Sequence, residues 1–291
     1  MRLSVVIPAH NAETTLATAI ASALAQSRRP DELVVVDDGS TDATASVATS
    51  HGVVLVRQSQ GGPSAARNAG VDASTGDWVA FLDADDEWHP SKLEHQVRYA
   101  GTDGTVLVAT DWARSPVSAP VPDPLPTTVL SSEQILLLNR FQTSTVLLER
   151  AAFRAAGGFD ASLDGVEDWD MWLRASEQGR VLKLDWPFVR YTDTASGYSK
   201  GLERVYLTGQ TMLERRFGPS PTRREREILA WHHLRFAVAF ALDGDRSSAR
   251  RCLVRCREEG VASAAPSAAV RYLLPFLARR VARRLPRSAS A

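Results

Sequence analysis

Cysteine is nearly absent from this sequence: Cys252 and Cys256 are the only two in 291 residues. Four apart in a helical-looking segment, they would share one helix face, too few for a zinc site without nearby partners. They read as reduced, partly buried small hydrophobes. No apolar run approaches the ~20 residues that a membrane-spanning helix needs. The opening Met1-Arg2-Leu3-Ser4-Val5-Val6-Ile7-Pro8 has no charged n-region, long apolar core or cleavage site. It reads as a first strand, with no signal peptide visible. The expectation is a cytoplasmic protein, with peripheral contact at the inner face of the membrane left open. Glycine is missing where a dinucleotide-binding fold would want Gly-x-Gly-x-x-Gly, after that first strand. The turn is Pro8-Ala9-His10-Asn11-Ala12-Glu13 instead, and the dehydrogenase reading fails there.

Net charge is absent only as a sum. Residues 201–291 carry 18 Arg against 8 acids, a net of +10, so residues 1–200 carry 16 basic and 26 acidic residues. An acidic half with a basic tail points to a tail that meets an anionic surface, or one that packs on its own acidic half. Hydrophobic residues at 44% and charged residues at 23% are ordinary for a soluble globular protein. The length suits one large domain with an appendage, or two small domains.

What the chain does have is alternation. Leu3–Ile7, Leu33–Val36, Val53–Val56 and Trp78–Leu82 read as buried strands. Helices at Asn11–Ala25 and Ala43–Ser50, and one opened by Gly61-Gly62-Pro63-Ser64 and running through Ala73, fall between them, with Ser40 or Thr41 as a cap for the second. Strands alternating with helices over about a hundred residues predict an α/β fold with a doubly wound, mostly parallel sheet flanked by helices. Val106–Ala109 and Thr145–Leu148 read as further strands, and Ser131–Leu138 and Arg150–Ala156 as short helices. Five prolines between Pro116 and Pro126 forbid regular structure. A helix start at Glu167-Asp168-Trp169-Asp170 puts acids where the helix dipole favours them. Residues 201–260 read as entirely helical, with a hairpin of 225–243 and 245–259 about Asp243-Gly244-Asp245.

The densest chemistry lies where the Trp78–Leu82 strand empties into Asp83-Ala84-Asp85-Asp86. Carboxylates at the carboxyl end of a buried strand sit where open α/β sheets bind ligands. Asp83 and Asp85, two apart, can converge on a hard divalent cation, Mn²⁺ or Mg²⁺, that would grip a diphosphate. The plainer alternative is an acidic turn, with Asp86 capping a helix near His89-Pro90-Ser91.

Five segments in order resemble the family 2 glycosyltransferases of GT-A fold, over roughly residues 3–200. They are Ser4–Glu13, Val36-Asp37-Asp38-Gly39-Ser40-Thr41-Asp42, Gly61–Gly70 with Arg67-Asn68, Phe81–Asp86, and Glu167-Asp168-Trp169-Asp170. The resemblance implies an inverting transferase that moves a sugar from a nucleoside-diphosphate sugar, a UDP-sugar foremost, to a hydroxyl of a glycan or lipid-linked acceptor. It places Pro8, Ala9, Asn11, Glu13, Asp38 and Arg67 at the nucleotide, Asp83 at the ribose, and Asp85 on the cation. It makes Asp168 the general base, and Glu167 an acceptor-side residue. Trp169 and Trp172 could form an apolar platform for an acceptor sugar, although aromatics at helical spacing are more often core. Where many relatives carry Tyr-Arg-x-His, this chain has Tyr191-Thr192-Asp193-Thr194, so a third metal-side ligand is in doubt.

The domain expectation is 1–200 catalytic, 201–262 a helical extension, and 263–291 a basic amphipathic tail with Val270, Leu273, Leu274, Leu277, Val281 and Leu285 on one stripe. Such a tail could lie on an anionic membrane or pack on the catalytic domain. Nucleic acid is a poor third partner, because no aromatics interleave the arginines. Two other functions compete: a non-catalytic nucleotide-sugar-binding protein of the same fold, and a nucleotidyltransferase that releases pyrophosphate.

Overall fold

A computed structural model describes residues 1–116, 119–192 and 201–260. The chain divides into two units, the first running from Met1 to Lys200 and the second beginning at Gly201.

The first unit is built on β1 (Leu3–Ala9), α1 (Leu16–Leu24), β2 (Glu32–Asp38), α2 (Thr44–Ser50), β3 (Val54–Gln58), α3 (Pro63–Ala73) and β4 (Trp78–Phe81). The four strands run parallel in the order β3-β2-β1-β4. Val5, Val6, Val34, Val35 and Val36 are fully buried, as expected for strands covered by helices on both faces. There follow β5 (Glu87–Trp88), α4 (Lys92–Val97), β6 (Thr105–Ala113), β7 (Thr127–Leu130), α5 (Ser132–Leu137), β8 (Leu147–Glu149), α6 (Arg150–Ala155), α7 (Glu167–Ala175) and β9 (Arg180–Arg190). Strand β8 joins β4 antiparallel, and β6, β9 and β5 extend the sheet beyond it, with β7 on β9. The result is the expected mostly parallel sheet flanked by helices, widened on one side by a mixed set in which β6 and β9 pair parallel and the other pairs are antiparallel.

Helix α3 lies tight on the parallel strands. A Cβ on Gly70 would meet Val6 Cγ1 at 2.3 Å and Val36 Cγ2 at 3.2 Å. Only a bare backbone fits there, and this close seat carries α3's polar face to the end of the sheet.

Three local expectations change. Helix α1 starts at Leu16 and not Asn11, because Asn11 takes a left-handed conformation (φ 48°) that a helix cannot contain. Neither Ser40 nor Thr41 caps α2; Asp42 Oδ1 accepts from Thr44 N at 2.9 Å instead. Asp86 caps nothing and is buried in the site described below.

The second unit contains α8 (Leu202–Phe217), α9 (Arg223–Leu242) and α10 (Arg246–Glu258). A reciprocal cap starts α9, with Thr222 Oγ1 accepting from Glu225 N and Glu225 Oε2 from Thr222 N. The α9–α10 hairpin turns at Gly244, whose φ of 87° suits glycine. Tyr206, Phe236, Phe240, Ala249 and Cys252 form its core. Cys252 and Cys256 are unpaired, the first buried and the second half-buried. The tail from 261 onward lies outside the described residues.

Two histidines are buried there. Arg235 donates to His232 Nδ1 at 3.1 Å, so the proton sits on Nε2, 3.0 Å from Tyr206 O. His233 Nδ1 lies 3.0 Å from the Tyr206 hydroxyl. Burial, with Arg255 adding to it, pushes His233 down to about 4; burial and then Arg235 hold His232 well below the ordinary value. Unfolding returns both to about 6.5, so below that pH the unfolded chain binds protons the folded chain refuses. Stability should therefore fall on acidification from pH 6.5 toward 4, by up to about 1.4 kcal/mol per pH unit for each histidine. Melting curves of wild type and His233→Gln check this: the variant should lose less over the same interval, and parallel curves would remove His233 from the account.

Candidate active site

At the carboxyl ends of β1 and β2, two loops are stitched together by side chains. Asn11 Oδ1 accepts from Thr41 N at 2.9 Å, and Asn11 N donates to Ser40 Oγ at 3.0 Å. Glu13 Oε2 accepts from Ala43 N at 2.9 Å, and Ala12 N donates to Thr44 Oγ1 at 2.8 Å. Pro8 is half-buried and Ala9 buried at the end of β1, so both shape this wall through backbone. His10 Nδ1 lies 2.8 Å from Asp38 O; a carbonyl only accepts, so Nδ1 carries the proton.

Asp38 is buried and serves the neighbouring loop. Its Oδ1 accepts from Gln58 Nε2 at 2.7 Å and Gly61 N at 2.8 Å, and its Oδ2 from Gly62 N at 2.8 Å. Three donors leave a further lone pair on Oδ2. The same bonds fix the loop that launches α3, whose Pro63 occupies the first turn, where its missing N–H costs nothing.

Three side chains of α3 clasp the segment leading into α7. Ser64 Oγ donates to Asp164 Oδ1 at 2.5 Å, and Asn68 exchanges two 2.9 Å bonds with the Phe159 backbone. Between them Arg67, only 5% exposed, crosses the site. One terminal nitrogen donates to Asp83 Oδ1 at 2.8 Å and the other to Glu167 Oε1 at 2.9 Å. Its carbon lies 5.4 Å from the centre of the Phe159 ring. Burial opposes this charge, yet Asp83 and then Glu167 hold it protonated, its pKa raised above the ordinary value. Arg67 thus bridges two acidic segments, one of them the turn that carries Asp83.

Beyond β4, Asp83 N donates to Ser144 Oγ at 3.0 Å, and Ser144 Oγ donates to Asp86 Oδ2 at 2.5 Å. Asp86 Oδ1 accepts from Thr192 N at 2.9 Å, tying the end of β9 to this turn. Burial, and then the charge of Asp83, push the Asp86 carboxyl up to about 8. Asp85 is half-buried on the same turn. Among the described residues no group of three or more His, Cys, Asp and Glu could hold a metal ion. Asp193 and Thr194 lie outside them. The oxygen-only chemistry of Asp85 nevertheless suits a hard cation completed by a diphosphate and water.

Glu167 and Asp168 open α7. Glu167 Oε2 accepts from Gly165 N at 2.6 Å, which braces the residue that meets Arg67. Asp168 Oδ1 accepts from Trp169 N at 2.6 Å and Oδ2 from Asn139 Nδ2 at 2.9 Å. Burial and the adjacent Glu167 raise the Asp168 carboxyl to about 7, against the lowering pull of Asn139 and Arg67.

The tryptophans are corrected. Trp172 has no exposure and packs against Phe81, Phe141 and Phe159; Trp169 is buried with its indole donating to Ile135 O at 2.6 Å. Neither ring is open to an acceptor sugar. Sequence reasoning also missed Asn139 and Ser144, polar residues in no recognisable spacing, and gave no role to Ser64 and Asn68 inside the Gly61–Gly70 segment. Only the Arg67-Asn68 pair within its own motif hinted at the second of α3's contacts.

Residues 4–154, just over half of the chain, match the model of glycosyl transferase family 2, and the chain belongs to that family. It spans 58% of the length of the first curated relatives it matches. It is 30% identical to the amylovoran biosynthesis glycosyltransferase AmsB of Erwinia amylovora over 65% of this chain and 68% of AmsB. Its fold is that of S. aureus TarS residues 1–349 in complex with UDP-GlcNAc (TM-score 0.67, 19% identity, 89% of this chain and 81% of that one). It is equally that of the mannosyltransferase PcManGT from Pyrobaculum calidifontis in complex with GDP-Man and Mn²⁺ (TM-score 0.62, 19% identity, 96% and 80%). The fold is GT-A.

Removing the Arg67 charge leaves two carboxylates facing each other without their counter-ion. Arg67→Met should therefore cost about 3 kcal/mol, the scale for breaking a buried pair by deleting one partner. Urea unfolding measures it; a midpoint unchanged from wild type would show that the bridge contributes nothing.

Proposed function

We propose that this chain is an inverting glycosyltransferase that moves a sugar from a nucleoside-diphosphate sugar, a UDP-sugar foremost, to a hydroxyl of a glycan or lipid-linked acceptor. One observation carries the reading: a half-buried Asp168 carboxylate, held near neutrality, opens a helix braced through Arg67 to the acidic turn after β4. A base works best when its pKa lies near the working pH, and a positioned one contributes ~10²–10⁴-fold. Asp168 takes the proton from the acceptor hydroxyl as its oxygen attacks the anomeric carbon. The nucleoside diphosphate leaves from the opposite face, so the configuration inverts. Asp38 supports the base edge, with Asn11, Glu13, Pro8 and Ala9 shaping that wall and Asp83 on the ribose side. Asp85 would hold a divalent cation, Mn²⁺ or Mg²⁺, which supplies Lewis-acid stabilisation of the leaving phosphate when bound. The names of AmsB and the ligands of TarS and PcManGT support a nucleotide-sugar donor and a place in polysaccharide assembly for the cell envelope.

Asp168 must be ionised to accept a proton. Turnover should climb with pH up to about 7 and level above it, the acid limb belonging to Asp168. Asp168→Asn should lower turnover at least about 100-fold while UDP or GDP still raises the melting temperature. Release of nucleoside diphosphate from UDP-, GDP- and dTDP-sugars, with and without Mn²⁺, is the assay. No cation-dependent release from any donor would end the enzyme reading, and full activity in Asp168→Asn would end the base assignment.

No helix of the described residues is long and apolar enough to cross a membrane. Peripheral contact at the cytoplasmic face, through residues 263–291, completes the proposal. Truncation after Gly260 should preserve nucleotide binding and abolish co-sedimentation with anionic liposomes. Undiminished sedimentation would clear the tail of that role.

A further inference from the structure

We propose that Asn139 is a positioning residue for the Asp168 carboxylate, its amide fixing the rotation of the base at the start of α7. The inference rests on the proposed role of Asp168 and goes beyond it, to a residue outside every recognised motif.

A first-turn carboxylate on a helix is free to rotate unless something holds it. Here each oxygen has one tether: Trp169 N on Oδ1 at 2.6 Å and Asn139 Nδ2 on Oδ2 at 2.9 Å. The first comes from the residue's own chain neighbour and cannot set the side chain against the rest of the site. The second comes from another element. Asn139 stands two residues past α5, and α5 is rigidly placed. Ser131 and Gln134 cap its start reciprocally, and Ile135, Leu136 and Leu137 are buried. The Trp169 indole, donating to Ile135 O, pins α5 directly to α7. The buried tryptophan that sequence reasoning offered to an acceptor sugar instead sets the distance between Asn139 and Asp168.

The other end of the amide points to a dedicated role. Asn139 Oδ1 is buried and has no hydrogen-bond partner among the described residues. An unmet buried carbonyl is costly, and an amide can turn over to relieve it. Turning over would set that carbonyl against the carboxylate, so the amine stays on Asp168.

The charged groups facing Asp168 are Glu167 on its own turn and Arg67 from α3, the latter also bound to Asp83 at the end of β4. Asp170, two residues along in the same first turn, is tied to Arg174 at 2.8 Å. None of these contributes a hydrogen bond to Asp168. Asn139 does, and its loss should favour the protonated carboxyl.

The test uses Asn139→Leu, which keeps the bulk, and Asn139→Ala. Carboxyl-carbon NMR of aspartate-labelled full-length chain follows the titration, with Asp168→Asn assigning the signal. The Asp168 midpoint should move up about one pH unit in both variants. Release of UDP from UDP-GlcNAc, or of GDP from GDP-mannose, with Mn²⁺ should show the acid limb moving by the same amount. At pH 7 the ionised fraction alone then costs about fivefold in kcat, with KM for the donor within about twofold of wild type. A merely structural asparagine would lower activity without moving the limb. An unmoved midpoint in the better-folded variant overturns the proposal. If wild type releases no nucleoside diphosphate, the base reading fails by itself, and the NMR midpoint still decides whether Asn139 holds the carboxylate.

Discussion

The site hangs on one buried guanidinium. Arg67 binds Asp83 at one end and Glu167 at the other, and these two acids come from segments more than eighty residues apart. Taking an arginine out of water costs several kcal/mol unless good geometry and further hydrogen bonds offset it. Two carboxylates and the Phe159 ring do so here. The bridge in turn depends on where α3 lies, and α3 lies where it does because Gly70 lets its backbone touch Val6 and Val36. A missing side chain on one helix thus sets the reach of a long one three residues earlier. Ser64 and Asn68 on the same helix clasp the approach to α7, so the acidic turn and the α7 start are fixed to a common support.

That single positive charge serves a crowded acidic neighbourhood. Asp83 and Glu167 bind it, Asp168 feels its charge and Asp86 feels that of Asp83, and desolvation penalises every carboxylate left without a cation. The structure resolves the conflict unequally. Asp83 and Glu167 take the guanidinium. Asp86 turns to Ser144 and the Thr192 backbone and is pushed up to about 8, while Asp168 turns to an amide and a backbone N–H and is pushed up to about 7. Two acids pair with the cation and two lean toward the proton. This division separates carboxyls that composition alone would treat as equals.

The parallel sheet was legible because buried strands write themselves as β-branched runs and the helices between them as periodic ones. The motif carboxylates were legible because strand ends place them. What stayed hidden depended on partners distant in sequence. Asp86 looks like a helix cap when read locally, and its partners in the structure, Ser144 Oγ and Thr192 N, lie far from it in sequence. Trp169 and Trp172 at helical spacing could have faced either way; the Ile135 carbonyl holds the first inward, and the aromatic cluster of Phe81, Phe141 and Phe159 the second. Asn139 has no spacing relation to Asp168 at all. The break in helical pattern at Asn11 was the one loop feature a closer reading could have found, since asparagine is among the few residues that enter the left-handed region easily.

The placement of Arg67 on Glu167, and not on its neighbour Asp168, has a chemical consequence. A guanidinium bound directly to a carboxylate stabilises its charged form and lowers its pKa by 1–3 units or so, roughly. A base tamed in that way would remain ionised at every working pH yet hold a proton poorly. Giving the arginine to Glu167 braces the same helix turn and leaves Asp168, among the described residues, with an amide and a backbone N–H as its hydrogen-bond donors. Glu167's own negative charge then raises Asp168 instead of lowering it. One residue along the helix therefore separates a carboxylate paired with arginine from one whose pKa is raised to about 7. The Glu-Asp order at the head of α7 is what lets the Arg67 guanidinium brace this turn while the Asp168 carboxyl keeps its affinity for the proton.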